Sequence, residues 1–256
     1  MSDDPILYEL SDGIATLTLN RPDRMNALGS WFLGAMHAAL DRVIADGARV
    51  VLINARGRGF CSGADLIEGL PDDLGQLVEE KYNPVMQRLI DLPIPVIAAV
   101  NGAAAGAGCA LALSADLVVA AEDSYFLLAF ANIGLVPDCG ATWLVANALG
   151  RARALEMMLL GEKIPATKAQ DWGLIHKVVP NDALQDEARA LAARLAKGPT
   201  TAYGLIRRSV GKALAGTYEQ ALAQEILDQR AAGNSRDSRE AIAAFVEKRK
   251  PVFQGK

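Results

Sequence analysis

The sequence predicts an α/β fold, and three observations carry that reading. Two continuous apolar stretches, "RVVLINA" (49–55) and "IPVIAAV" (94–100), have the length and β-branched content of strands buried on both faces. Each is followed by a glycine-rich stretch, so strands and helices alternate along the chain. From about Arg151 the texture changes to alanine-rich segments with helical spacing.

Taken in order, "GIATLTLN" (13–20) alternates, with Ala15, Leu17 and Leu19 on one face and Thr16 and Thr18 on the other, as a half-buried strand does. "RPDRMNAL" follows as a turn. Phe32, Met36, Ala39 and Val43 then recur at helical spacing within 29–46. The strand at 49–55 leads into "RGRGFCSGADL", a loop expected to run into a helix. The strand at 94–100 ends at Asn101-Gly102, after which "AGAGCALALSAD" reads as a helix of small residues and "LVVAAED" as a strand. "RARALEMMLLG", "ATKAQDWGLI", "DALQDEARALAARLAKG", "TAYGLIRRSVGKAL" and the segments 217–232 and 235–249 read as helices. Gly198-Pro199 marks a hinge, giving a core over 1–198 and a helical region over 199–256.

Composition narrows the function. The 256 residues are 51% apolar with a net charge of −4 and no basic block, which speaks against a nucleic-acid partner. The longest apolar run, 94–113, is interrupted by Asn101 and small residues, so no membrane span is expected. Three cysteines without a CxxC pair, and only two histidines, His37 and His176, argue against a metal site and a disulfide framework and fit a reducing cytoplasm.

Two loops carry the chemistry-bearing pattern, 59–66 ("GFCSGADL") and 101–109 ("NGAAAGAGC"). Small residues there let a backbone or a ligand approach closely. Unpaired N–H groups from two such loops, aimed at one point, make an oxyanion hole. Tight packing of helix on strand explains either loop equally well. "GAG" is an incomplete dinucleotide fingerprint, because the third glycine position is Leu111, and "FCSGA" lacks the first glycine of a nucleophile elbow.

Together with "NRPDRMNAL" (20–28), "GLVPDCGATWLV" (134–145) and "AQDWGLIHKVV" (169–179), these loops resemble the crotonase, or enoyl-CoA hydratase/isomerase, superfamily over nearly the whole chain. That resemblance implies a spiral of ββα turns followed by a helical trimerisation region. It implies an acyl-CoA thioester as substrate, coenzyme A being part of the substrate and no separate cofactor being needed. It further implies a homotrimer or a dimer of trimers, and a thioester enolate held by the N–H groups of Ala64 and Ala107. Hydratases of the family use two glutamates; the matching positions here are Ala110 and Phe130, and neither side chain can move a proton. Within the family the chain resembles the ring-1,2-epoxyphenylacetyl-CoA isomerases, which share "YNPVMQRL" (82–89), "GLVPDCG" (134–140) and "KRKPVFQGK" (248–256) and also lack both glutamates. A dehalogenase-type site is disfavoured, because 67–100 contains no histidine.

Asp138 then becomes the expected acid/base. Among Phe130, Ile133, Leu135 and Val136 its carboxyl is expected to be desolvated and its pKa raised. One such group suffices to shift a double bond from Δ3 to Δ2, or to isomerise a ring epoxide, through an enolate. The alternative reading of Asp138 is a helix cap. A 2-enoyl-CoA hydratase and a non-catalytic acyl-CoA-binding protein are the alternative functions. The resemblance also groups Ser62, Leu66 and Gly106 with substrate binding and lays Arg24 and Ala27 along coenzyme A. Asp65 is expected to orient its loop, Tyr82 to line the acyl pocket or to pack, and Cys139 to pack beside the base. Phe253 and Lys256 are expected to reach a neighbouring subunit's coenzyme A, or to lie in a loose tail.

Overall fold

The computed structural model describes residues 4–69 and 71–256. The first strand, β1 (Ile6–Ser11), pairs antiparallel with β2 (Ile14–Leu19) across the two-residue turn Asp12-Gly13. Helix α1 (Ser30–Ala45) then leads to β3 (Val50–Ala55), which lies parallel to β2. A short helix α2 (Leu74–Leu77), a π-helical turn (Val78–Tyr82) and α3 (Asn83–Asp91) precede β4 (Val96–Val100). Next come β5 (Ala103–Ala105), α4 (Ala107–Leu113), β6 (Leu117–Ala121) and β7 (Tyr125–Leu127). The longest helix, α5 (Ala141–Leu160), is broken at Gly150. It is followed by β8 (Ile164–Pro165), α6 (Ala166–Asp171), β9 (Lys177–Val179), α7 (Leu184–Ala196), α8 (Thr200–Ala215), α9 (Tyr218–Gly233) and α10 (Arg236–Val246).

The strands form two sheets. The larger runs β1-β2-β3-β4-β6-β9, parallel from β2 onward, and the smaller runs β5-β7-β8. Successive strands therefore climb through one sheet while the short strands build the second, and single bridges, Leu28 to Ala64 and Cys61 to Ala104, join the loops between them. This is the α/β architecture expected from the alternation. The middle strands of the larger sheet are buried on both faces. One face packs on α1, α3, α4 and α5 around Leu17, Phe32, Leu40, Ile53, Leu89 and Leu111. On the other, Val50, Leu52, Ile97 and Val119 meet Leu184, Ala188, Ala192 and Ala196 of α7. Burial on both faces is why β3 and β4 read as unbroken apolar runs.

One expected element is different. The loop at 59–66 does not run into a helix. Asp65 accepts a hydrogen bond from Ile67 N and caps a single 3-10 turn (Leu66–Glu68), and α2 starts only at Leu74. The helical C-terminal region docks on the core through polar anchors. Arg207 on α8 holds Asp116 and the carbonyls of Leu89 and Leu92, while Arg49 holds Thr200, the Gly198 carbonyl and the Phe253 carbonyl. No described helix is long and apolar enough to cross a membrane.

Candidate active site

The first loop presents Ala64 through a bridge. Leu28 N donates to Gly63 O at 2.7 Å and Asp65 N donates to Leu28 O at 3.4 Å, so both bonds of the bridge belong to the neighbours of Ala64. The peptide N–H of Ala64 lies opposite the Gly63 carbonyl and is turned away from Leu28. The second loop presents Ala107 as the first residue of α4, where an N–H has no intrahelical acceptor. Among the described residues, neither N–H donates to a protein acceptor. The two loops are in close contact. A Cβ on Gly63 (φ +96°) would stand 2.9 Å from Ala105 O and 3.4 Å from Ala107 N, and one on Gly108 would stand 2.5 Å from Cys61 O. Only glycine allows this approach, which brings together the two loops that carry the free N–H groups.

Several side chains fasten this arrangement. Asn26, at a positive φ and buried, accepts from Arg21 N and donates to the carbonyls of Arg56 and Gly59, tying the 20–28 turn to the first loop. Its role was not anticipated; the signal was an Asn in a tight turn, a type that tolerates this backbone and bonds locally. The buried carboxylate of Asp65 also pairs with Arg24 at 3.4 Å. Ser62 and Leu66 are exposed on the same loop, Ala27 is buried beside it, and Gly106 donates to Leu127 O as it leads into α4.

Asp138 sits in the turn before α5, and it is not a cap. The helix starts at Ala141, its N-cap is Gly140, and no side chain bonds there, because Cys139 and Gly140 both take a positive φ and delay the first turn. Carboxyl Oδ1 of Asp138 is instead buried without a hydrogen-bond partner. Burial raises the Asp138 pKa above its ordinary value, against the pull of the Cys139 thiol and of its own amide. The expected apolar lining needs correction: Phe130 is buried, but Ile133, at the end of the 3-10 turn Ala129–Ile133, and Val136, in the segment after it, are largely exposed.

Tyr82, Cys61, Cys139 and Asp138 gather around one another. Burial raises the Tyr82 phenol's pKa first, and Cys139, Asp138 and Cys61 add to it. Sequence separation hid this cluster. The thiols of Cys61 and Cys109 are pushed up to about 12 by burial, and that of Cys139 is raised too, so all three remain protonated and are poor nucleophiles. The C-terminal tail is not loose. Asp237 accepts from Gln254 N and Gly255 N and donates its own N–H to Lys256 O, while the Lys256 side chain stays exposed. A cavity of about 1400 Å³ runs between α3 and α8 and meets Cys139 and Gly140, but none of Ala64, Ala107 and Asp138 lines it.

A sequence model described as enoyl-CoA hydratase/isomerase matches residues 9–256. The chain belongs to the enoyl-CoA hydratase/isomerase family. It is 45% identical to a 1,2-epoxyphenylacetyl-CoA isomerase of Escherichia coli over 98% of both chains. It is 43% identical to a protein of Rhodobacter capsulatus named "Probable enoyl-CoA hydratase" over the full length of both. The crystal structure of an enoyl-CoA hydratase from Bacillus anthracis superposes with a TM-score of 0.93 at 28% identity, covering 98% of this chain and 100% of that one. The crotonase fold expected from the sequence is thus the fold of this enoyl-CoA hydratase/isomerase family member, and isomerases and hydratases both stand among its relatives.

The raised pKa has a testable consequence with a definite sign. Well below pH 4, Asp138 is protonated in the folded and the unfolded chain alike, and it costs no stability. As pH rises past the ordinary carboxyl value of about 4, the unfolded chain ionises first, so stability falls until the folded carboxyl ionises as well. The Tm of Asp138→Asn relative to the native chain therefore increases between about pH 4 and pH 7, and differential scanning calorimetry across that range reads it. A difference that stays flat with pH contradicts the desolvated carboxyl.

Proposed function

We propose that this chain is an acyl-CoA isomerase that moves a double bond from Δ3 to Δ2, or isomerises a ring epoxide, through a thioester enolate. The observation that carries the proposal is Asp138. Among the described residues it is the one carboxyl held above its ordinary pKa, with an unpartnered oxygen, in a cluster with Cys61, which bridges the two donor loops. Ionised Asp138 takes a proton from the carbon alpha to the thioester, whose negative charge passes to the carbonyl oxygen between Ala64 N–H and Ala107 N–H. The same carboxyl, now protonated, returns the proton at the gamma carbon, leaving the conjugated product. Desolvation suits both halves of the shuttle, since a carboxyl whose pKa burial raises is a stronger base for taking the proton and still an acid that can give it back.

Hydration needs a second group to hold and deprotonate water, and the positions matching the hydratase glutamates carry Ala110 and Phe130, both buried and apolar. The name of the Rhodobacter relative keeps hydration as the alternative, and a non-catalytic acyl-CoA binder is the second. An exposed apolar surface supports the trimeric assembly of this reading. Ile206, Val210, Ile226, Ile242, Phe245 and Val246 on α8–α10 are more than half exposed, which is an apolar surface suited to other copies of the chain.

The test follows the absorbance of the conjugated thioester. With a 3-enoyl-CoA it should rise, and with a 2-enoyl-CoA it should stay flat. A fall with the 2-enoyl-CoA replaces isomerisation by hydration. No change with either and no turnover of a ring-epoxide thioester, together with no alpha-proton exchange in deuterated water, leaves a binding protein.

A further inference from the structure

Tyr82 lies in a segment whose helix register is abnormal. Pro84 has no N–H to give to the Glu80 carbonyl, and the turn widens so that Asn83 N reaches back to Val78 O, a π-helical bond. Tyr82, in this widened turn, is only 6% exposed. Its hydroxyl donates to Leu28 O at 2.7 Å across 54 residues of sequence. Leu28 is the residue that bridges to Ala64. Its N–H holds Gly63 O at 2.7 Å, and its carbonyl receives Asp65 N at the longer distance of 3.4 Å. The shorter bond to that carbonyl is therefore the one from Tyr82. The Gly63–Ala64 peptide is planar, so whatever fixes the Gly63 carbonyl also fixes the direction of the Ala64 N–H.

We propose that Tyr82 is a positioning residue, whose hydroxyl holds Leu28 and through it aims the Ala64 N–H at the substrate's thioester oxygen. The proposal rests on the reading of Ala64 as an enolate donor. It assigns to Tyr82 neither a proton to move nor a place on the acyl group. A donor within a hydrogen-bonded bridge is worth most when it is already aimed before charge develops, because then no reorganisation is needed in the transition state. Loss of the hydroxyl leaves Leu28 O its bond from Asp65 N, so no buried acceptor is orphaned and the fold survives. What is lost is the tighter of the two restraints.

The experiment uses the full-length protein and hexa-2,4-dienoyl-CoA, whose absorbance maximum moves to the red when hydrogen bonds polarise the thioester carbonyl. In Tyr82→Phe the red shift of the bound ligand should shrink by about half or more, with the dissociation constant within about threefold of native. Turnover of a 3-enoyl-CoA should fall about 10- to 100-fold with KM little changed, because the interaction lost is made in the transition state. Placing 4-aminophenylalanine at position 82, which returns an N–H donor to the same ring position, should restore much of both; a general packing role predicts no such rescue. A folded Tyr82→Phe with the native red shift and native kcat overturns the proposal. If the native protein does not isomerise 3-enoyl thioesters, the double-bond shift proposed above fails by itself, and the red shift still decides for or against Tyr82. A native protein that shows no red shift overturns the positioning role together with the donor pair. If Tyr82→Phe fails to fold, 4-aminophenylalanine and 4-fluorophenylalanine at position 82 decide: a red shift kept with the amino donor and diminished with the fluorine supports the role, and equal shifts in the two overturn it.

Discussion

Asp138→Asn should leave a protein that folds, binds acyl-CoA as before and isomerises a 3-enoyl-CoA about 10²- to 10⁴-fold more slowly, the range attributable to a positioned acid/base. The substitution is nearly isosteric and removes the charge that burial disfavours, so the turn before α5 has no reason to rearrange. In the proposed mechanism Ala64 and Ala107 act on the thioester through backbone N–H groups, which the substitution leaves in place. Loss should therefore appear in kcat with KM little changed, and alpha-proton exchange in deuterated water should fall by the same factor. If exchange falls while substrate still binds, Asp138 takes the first proton. If turnover is unchanged, another group carries the proton, and the unpartnered oxygen of Asp138 has some other meaning. In the active protein, kcat/KM should drop on the acid side as Asp138 is protonated, and that limb should lie above the pH at which an exposed aspartate titrates, since burial raises its pKa.

How far the sequence showed this site depends on the range over which each feature is determined. Strands β2, β3, β4 and β6 were legible because their own residues carry a period or an unbroken apolar run set by burial. Strands β5, β7, β8 and β9 have two or three residues each, too few to show a period, and they exist because a distant partner completes them. The two donors were legible as small-residue loops, but the reason for one of them was not. Ala107 is at a helix start, as the pattern suggested, whereas Ala64 owes its free N–H to the bridge with Leu28, which no local pattern encodes. Asp138 was ambiguous for the same reason. A cap and a base look alike until the positive φ of Cys139 and Gly140 is known to move the helix start beyond the reach of the carboxyl. Tyr82 stood out as part of a motif, yet its partner is 54 residues away, and only the π-helical turn made by Pro84 explains how the two meet.

Gly63→Ala should be nearly as damaging as loss of the base, although it adds one methyl group and removes no functional atom. The methyl carbon would stand 2.9 Å from Ala105 O and 3.4 Å from Ala107 N, both backbone atoms that cannot swing away as a side chain would. A φ of +96° is in addition a conformation that alanine adopts only under strain. The first loop must withdraw from the second, and the Ala64 N–H moves out of line with the Ala107 N–H. Loss of one oxyanion donor costs about 10²- to 10³-fold in kcat, and that is the expected fall, again with alpha-proton exchange falling in parallel. The comparison that isolates the cause is Gly173→Ala. Gly173 has a φ of +81° but nothing within 4 Å of the added carbon, so it carries the strain without the collision. Gly173→Ala should lower Tm and leave kcat within about twofold, since backbone strain away from the site acts on stability alone. If Gly63→Ala also loses only stability, the two loops do not act together on the substrate oxygen, and the enolate must be held elsewhere. If it loses turnover while the acid limb assigned to Asp138 stays at the same pH, the donors and the base are separate parts of one mechanism: one stabilises the charge, the other moves the proton.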